Sequence, residues 1–273
     1  MKKHLIALDL DGTLLTSTQT ISTRNKRAID QVRALGHTVV IATGRPHRAS
    51  IDYYHELGLD TPMVNFNGAL LHHPTDKNWE ALHSPLGIRT AKKIIQTCYE
   101  FEVNNIMAEV KDDVYLDRYD EEIMTILHTQ KEKDPIKIGS LKNSLTSDPT
   151  SILIHPKDHH VEALRKRLDD DHADVIEHHR WGAPWNMIEI VREGMNKAVG
   201  LKRIAHYYHV DQANVIAFGD EDNDIEMLDY AGIGVKMANG NDCLNAVINE
   251  TTDTNDNDGV AQFLEAYFEF DKE

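Results

Sequence analysis

Two aspartates one residue apart, Asp9 and Asp11, close an apolar run in His4-Leu5-Ile6-Ala7-Leu8-Asp9-Leu10-Asp11-Gly12-Thr13. Carboxylates held this close repel, and a cation between them or a proton on one of them relieves the repulsion. Both arrangements suit chemistry on phosphates. Asp9 can attack phosphorus as a nucleophile. Asp11 can carry a proton to the leaving oxygen and then take one from the attacking water. Gly12 allows the tight turn after them. An ordinary Asp-Gly turn is the plain alternative.

Three further clusters supply what such a reaction needs. Thr43-Gly44-Arg45-Pro46 follows a β-branched run directly. A hydroxyl and unobstructed backbone N–H groups at a strand end can hold phosphate oxygens. Lys197, in Gly194-Met195-Asn196-Lys197, begins a helical pattern and can clamp a phosphate while offsetting the aspartates. Gly219-Asp220-Glu221-Asp222-Asn223-Asp224 gathers hard oxygen donors suited to Mg²⁺. Its glycine and glutamate are not spaced as in an EF-hand. Singly, each of these reads as a loop start, an exposed lysine or an acidic helix cap. Together they provide nucleophile, phosphate cradle, positive clamp and metal site.

The elements that must position these groups follow from periodicity. Leu5–Leu8, His37–Ala42 and Met63–Phe66 read as strands, and Ser22–Leu35 and Ser50–Leu57 as helices ended by Gly36 and Gly58. The last third repeats the rhythm. Lys197–His209, Asp224–Tyr230 and Val260–Tyr267 read as helices, and Asn214–Phe218 and Gly232–Val235 as strands. This β-α-β order predicts a parallel sheet with helices on both faces. Between about His83 and Trp185 the chain becomes charged and proline-interrupted. Ile88–Tyr99 and His160–Leu168 read there as helices, and Val110–Leu116 and Ser151–His155 as strands. The middle is expected to be a second α/β domain inserted into the first, with one long elaborated domain as the alternative.

Composition sets bounds. A hydrophobic share of 41% and a charged share of 27% suit a globular fold. The net charge of -16 argues against nucleic acid or an anionic membrane as partner. No apolar run approaches the roughly 18 residues of a membrane span. The stretch after Met1-Lys2-Lys3 is too short for a signal peptide. Cys98 and Cys243 are the only cysteines, and they fit a reducing cytoplasm. The pairs His72-His73, His159-His160 and His178-His179 lack the spacing of a helical zinc site, and read as surface or second-domain residues. Trp181 and Trp185 read as packing, and Thr251–Asp258 as a solvated loop.

Taken together, the motifs resemble the haloacid dehalogenase superfamily of aspartate-nucleophile phosphohydrolases, and most closely its Cof-type branch. The resemblance rests on Asp9-Leu10-Asp11-Gly12-Thr13-Leu14-Leu15, Ala42-Thr43-Gly44-Arg45, Asn67-Gly68-Ala69, Lys197, the 219–228 segment and Asp258-Gly259-Val260-Ala261. It covers roughly residues 1–82 and 188–273. It implies a Rossmann-like, doubly wound α/β core over those residues, with an α/β cap over 83–187 that sets substrate specificity. It also implies that Asp9 is the nucleophile and a Mg²⁺ ligand. Asp11 would be the general acid/base and bind Mg²⁺ through its carbonyl. Thr43, Gly44, Lys197, Asn223 and the Leu10 backbone would bind phosphate. Asp220 would complete the metal site, and Asp224 would support it. Asp11 itself excludes the dehalogenase branch. The expected substrate is a small phosphorylated metabolite, such as a sugar phosphate, a nucleotide or a phosphorylated cofactor. Two alternatives share these residues: a phosphomutase on the same core, and a non-enzymatic phospho-acceptor switch.

Overall fold

The computed structural model describes residues 2–126, 136–180 and 187–270. Trp181 and Trp185 lie outside them. The chain forms two compact units. One comprises Met1–Arg45, Ser50–Leu82 and Asn196–Glu273, and the other Pro46–Ala49 and His83–Met195.

The first unit is built on a five-stranded parallel sheet. Its order is Glu250–Thr251, Ile233–Lys236, Val215–Gly219, Leu5–Leu8, Thr38–Ile41. The strand period of two sorts the side chains. Ile6, Leu8, Val39, Ile41, Ile216 and Phe218 face the helices Thr23–Ala34 and Gly259–Tyr267. Leu5, Ala7, Val40, Val215 and Ala217 face Lys197–Tyr207 and Ile225–Tyr230. Burial on both faces explains why these strands are continuous apolar runs. Ser22 caps the first helix by accepting the Asn25 N–H at 3.0 Å.

Leu8 stands in register with Ile41 on one side and Phe218 on the other. The residues that follow, Asp9, Ala42-Thr43 and Gly219-Asp220, therefore leave the sheet at the same carboxyl edge. The first strand lies where the chain order reverses, and an open α/β sheet opens a crevice at such a point.

One expected strand behaves differently. Among the described residues, Met63–Asn65 meets the parallel sheet through a single bridge, Ala42–Val64, which is itself parallel. It otherwise pairs antiparallel with Leu70–His72. Phe66, Asn67 and Gly68, at φ of 49°, 50° and 95°, turn the chain back on itself there. A Cβ on Gly68 would lie 2.2 Å from the Asn196 carbonyl oxygen, so only glycine fits this approach.

The second unit has a six-stranded sheet in the order Ile176–Arg180, Ile188–Arg192, Ser151–His155, Asn105–Val110, Asp113–Leu116, Ile136–Ile138. Helices Ile88–Glu100 and Val161–His172 pack on one face against Ile106, Ala108, Ile152, Ile154, Ile188 and Ile190. Two expectations change here. The segment 110–116 is not one strand, because the chain reverses at Lys111, φ 55°, between Asn105–Val110 and Asp113–Leu116. The first unit resumes at Asn196, not at 188. Ile188–Arg192 pairs antiparallel with Ser151–His155 and Ile176–Arg180, and so belongs to the second sheet.

Candidate active site

The first strand delivers Asp9 in an extended conformation, φ -69° and ψ 161°. Its N–H donates to the Phe218 carbonyl at 3.2 Å, so it stays tied to the neighbouring strand. One wide turn follows over Leu10–Leu14, closed by the Leu15 N–H on the Leu10 carbonyl at 2.8 Å. Gly12 takes φ 70° in that turn, and a Cβ there would lie 2.1 Å from Asp220 Oδ2. The turn thus presses its backbone against the acidic loop after Val215–Gly219. Thr13 joins them by donating its hydroxyl to Asp220 Oδ1 at 2.9 Å.

Lys197 enters from the first turn of its helix, where Asn196 accepts the Val199 N–H at 3.2 Å. It is 1% exposed. Its Nζ donates to Asp9 Oδ1 at 2.8 Å and to Asp224 Oδ1 at 2.7 Å. Asp224 Oδ2 accepts the Asp220 and Glu221 N–H groups at 2.9 and 3.2 Å. Both Asp224 oxygens are thereby used in orienting the loop and the lysine. Asp9 Oδ2 and Asp220 Oδ2 carry no hydrogen bond among the described residues.

The electrostatics follow from burial. Desolvation pushes Asp9 up to about 7; Lys197 opposes this, while the Asp224 and Asp11 charges add to it. Desolvation, then the Asp9 and Asp224 charges, pushes Asp220 up to about 9. Burial works against the charge on Lys197, but Asp224 and Asp9 outweigh it and hold the ammonium more firmly than in water.

The donor set fits a divalent cation. Asp9, Asp220 and Asp224 each offer a carboxylate oxygen, all within 4.8 Å of one another. Once ionised, three such carboxylates around one ammonium leave two negative charges for a cation to balance. Asp220 Oδ2, which carries no hydrogen bond among the described residues, and one oxygen of Asp9 are the natural ligands, leaving the other Asp9 oxygen free. A pH dependence follows. In the metal-free fold both carboxyls sit above their ordinary value of 3.8, so they stabilise it fully only below that pH. That contribution is lost as the pH rises through about 7 and about 9. A bound cation favours the charged forms and reverses the loss. The gain in Tm from Mg²⁺ over chelator is therefore expected to grow between about pH 5 and about pH 8. A gain independent of pH would contradict this.

Asp11 lies differently. Its side chain is half-exposed and forms a two-point pair with Arg45, Nε to Oδ2 at 2.6 Å and Nη2 to Oδ1 at 2.5 Å. Burial opposes its ionisation, but the Arg45 bond and charge prevail and hold it below the usual carboxylate range. Arg45 also donates to Gln19 and lies over the Tyr53 ring, 5.4 Å from its centroid.

The phosphate-cradle candidates meet at the same sheet edge. Thr43 is buried, and its Oγ1 accepts the Arg45 N–H at 3.1 Å while keeping its own O–H to donate. The Thr43 carbonyl accepts the Asn67 N–H at 3.2 Å. Asn223 donates its amide to Asn67 Oδ1 at 3.0 Å. Asn67, left without a role by the sequence reading, thus joins Thr43 to Asn223. An Asn-Gly pair following a strand is the signal that pointed to it. Away from the site, His72 bonds the Asn65 amide oxygen at 3.0 Å, His160 the Phe101 carbonyl at 3.1 Å and His178 the Asp169 carboxylate at 2.8 Å. Among the described residues no helix is long and apolar enough to cross a membrane.

The family model for haloacid dehalogenase-like hydrolases matches residues 6–264. The chain is 48% identical over 267 residues to the 5-amino-6-(5-phospho-D-ribitylamino)uracil phosphatase YitU of Bacillus subtilis, covering 98% of each. It is 31% identical to the pyridoxal phosphate phosphatase YbhA of Escherichia coli, covering 97% of this chain and 98% of that one. The crystal structure of a haloacid dehalogenase-like hydrolase from Bacteroides thetaiotaomicron superposes with a TM-score of 0.83 at 25% identity, over 98% of this chain and 100% of that one. Motifs, fold and relatives converge: the chain belongs to the haloacid dehalogenase-like hydrolase family, as a Cof-type phosphatase.

Proposed function

We propose that the protein is a Mg²⁺-dependent phosphomonoesterase that hydrolyses a small phosphorylated metabolite through an aspartyl phosphate on Asp9. The observation that carries this reading is the state of Asp9. It is 5% exposed, held through one oxygen by Lys197, and has its other oxygen uncommitted. A buried carboxylate fixed at one oxygen presents the other in a defined direction, which an in-line attack needs.

Asp9 Oδ2 attacks phosphorus, and the ester oxygen leaves with a proton from Asp11. Asp11 then takes a proton from water as that water attacks the aspartyl phosphate, releasing inorganic phosphate and restoring Asp9. Asp11 must be protonated for the first half, so its pair with Arg45 is the resting arrangement and opens before the leaving group departs. Lys197 neutralises charge on the phosphoryl oxygens while keeping Asp9 oriented. The Thr43 hydroxyl, the N–H groups around Gly44 and Leu10, and the Asn223 amide bind the remaining oxygens. Asp9, Asp220 and the Asp11 carbonyl would hold the cation, with Asp224 orienting Asp220 and Lys197. When bound, the cation supplies positive charge for the phosphoryl group and allows Asp9 to remain ionised at neutral pH.

The second unit is assigned substrate specificity, as an insertion that contributes none of these groups. The relative named for 5-amino-6-(5-phospho-D-ribitylamino)uracil makes that ester the first to assay, with pyridoxal phosphate second. The test is phosphate release from a panel of such esters, with Mg²⁺ and with chelator. Release that needs the metal is expected. An isomerised sugar phosphate in place of inorganic phosphate would establish a mutase instead.

A further inference from the structure

Four residues break the otherwise simple division of the chain. Arg45 and Ser50 belong to the first unit, yet Pro46–Ala49 between them belongs to the second. Arg48 accounts for this. Its backbone N–H donates to Asp112 Oδ1 at 3.0 Å. Its guanidinium pairs with Glu109, and the two side chains are 8% and 3% exposed. The other Glu109 oxygen accepts the Ser151 hydroxyl at 3.1 Å. Glu109 lies on a central strand of the six-stranded sheet, in register with Ser151 and Val114. Arg48 Nε and Nη1 are buried with no partner among the described residues. Among the described residues Glu109 is the carboxylate that pairs with this guanidinium, and a buried pair of this kind is costly to break from either side.

The chain between this anchor and the candidate active site is short and stiff. The Arg45 carbonyl accepts the Asn65 amide at 2.9 Å and the Phe66 N–H at 3.3 Å, both within the first unit. Pro46 has a fixed φ, and the Ala49 N–H closes on the Pro46 carbonyl at 3.1 Å. Two residues, Pro46 and His47, separate Arg45 from Arg48, three steps and at most about 11 Å of chain. A displacement of the anchor has few free dihedrals to absorb it and passes back to Thr43-Gly44-Arg45.

We propose that Arg48 is a positioning residue. Pinned to the second unit by Glu109 and Asp112, it sets the conformation of the phosphate-binding loop Thr43-Gly44-Arg45 through the covalent chain. The inference rests on the phosphomonoesterase reading, because it assigns those three residues to phosphate binding. It makes the second unit a determinant of the catalytic step as well as of substrate choice.

The test compares wild type, Arg48→Lys, Arg48→Met, Glu109→Gln and the double variant Arg48→Met/Glu109→Gln. Each is assayed with p-nitrophenyl phosphate for kcat and KM, with inorganic phosphate for its inhibition constant, and by thermal melting. Expected for Arg48→Met and Glu109→Gln are a kcat lowered roughly tenfold or more and weaker inhibition by inorganic phosphate, since small misplacements of binding groups cost this much. The double variant should be no worse than the single ones. Arg48→Lys should recover part of the loss, as a residual cation for Glu109. Should Arg48→Met fail to fold, the isosteric Glu109→Gln carries the same expectations. Folded variants with kcat and phosphate inhibition within twofold of wild type would overturn the inference and leave the pair as packing within the second unit. A raised KM for a larger ester with unchanged phosphate inhibition would also overturn it, pointing to contact with the leaving group. Wild type inactive on every ester would instead overturn the functional reading beneath it.

Discussion

Asp9→Asn is expected to abolish turnover while leaving the fold intact. The amide keeps the shape of the carboxylate but is no nucleophile, and no neighbouring side chain can replace it. Asp220 is tied through one oxygen to Thr13, and Asp224 has both oxygens committed to Lys197 and to backbone N–H groups. Loss of a nucleophile that acts with its proton carrier removes most of the rate enhancement, so a fall on the order of 10⁴-fold or more in kcat is expected. Stability should not suffer. Burial already disfavours charge on Asp9, and Lys197 retains Asp224 as its partner. An unchanged or higher Tm in chelator, together with lost phosphate release, is the expected pair of results. Residual activity within about tenfold of wild type would remove Asp9 from the centre of the mechanism.

Lys197→Met is expected to damage both rate and stability, and to do so unequally with and without metal. Lys197 is the cation that Asp9 and Asp224 share, and all three side chains are nearly inaccessible to water. Removing one partner of a buried pair typically costs about 3–5 kcal/mol, because the other charge stays behind unpaired. Methionine fills a similar volume, so the loss is electrostatic more than steric. A divalent cation beside Asp9 and Asp220 offsets part of it. The fall in Tm should therefore be larger in chelator than in Mg²⁺. The rate should fall by roughly 10²–10³-fold even when the fold is saved by metal, the usual effect of deleting one group that stabilises transition-state charge. Equal destabilisation in both conditions would mean that the cation does not share this charge cluster.

Much of the first unit was legible from the chain because its strands are buried on both faces and its helices are amphipathic. Leu5–Leu8, Val215–Gly219 and the helix beginning at Lys197 lie close to where apolar pattern and capping residues put them. The contacts of Lys197 with Asp9, 188 positions away, were legible only as a conjunction of motifs; no local pattern specifies them. The pairing of Asp11 with Arg45 had no local sign, since two surface-type residues 34 apart carry no periodic signal.

The errors have the same origin. Ile188–Arg192 is an apolar strand by any local criterion, and the chain does not say which sheet it joins. Its partner Ser151–His155 lies far upstream, and that pairing moves the boundary to Asn196. The turn at Lys111-Asp112 was missed because lysine at φ 55° replaces the Gly or Asn that marks such reversals. Met63–Asn65 was expected in the parallel sheet and keeps one parallel bridge to it, but the antiparallel return to Leu70–His72 was not foreseen. That return needs Phe66 as well as Asn67 and Gly68 in left-handed conformations, and a phenylalanine does not announce one. Nothing local marks Arg48, because its burial arises from Glu109 and Asp112, both more than 60 positions on.

The central claim, that phosphate passes through Asp9 in two displacements, is tested most directly by the stereochemical course at phosphorus. An ester made chiral at phosphorus with oxygen isotopes is turned over in labelled water, and the configuration of the released phosphate is read. Two in-line displacements give net retention, which is the result expected if Asp9 is phosphorylated and then freed by water. Net inversion would mean that water attacks the ester directly, and would contradict the account.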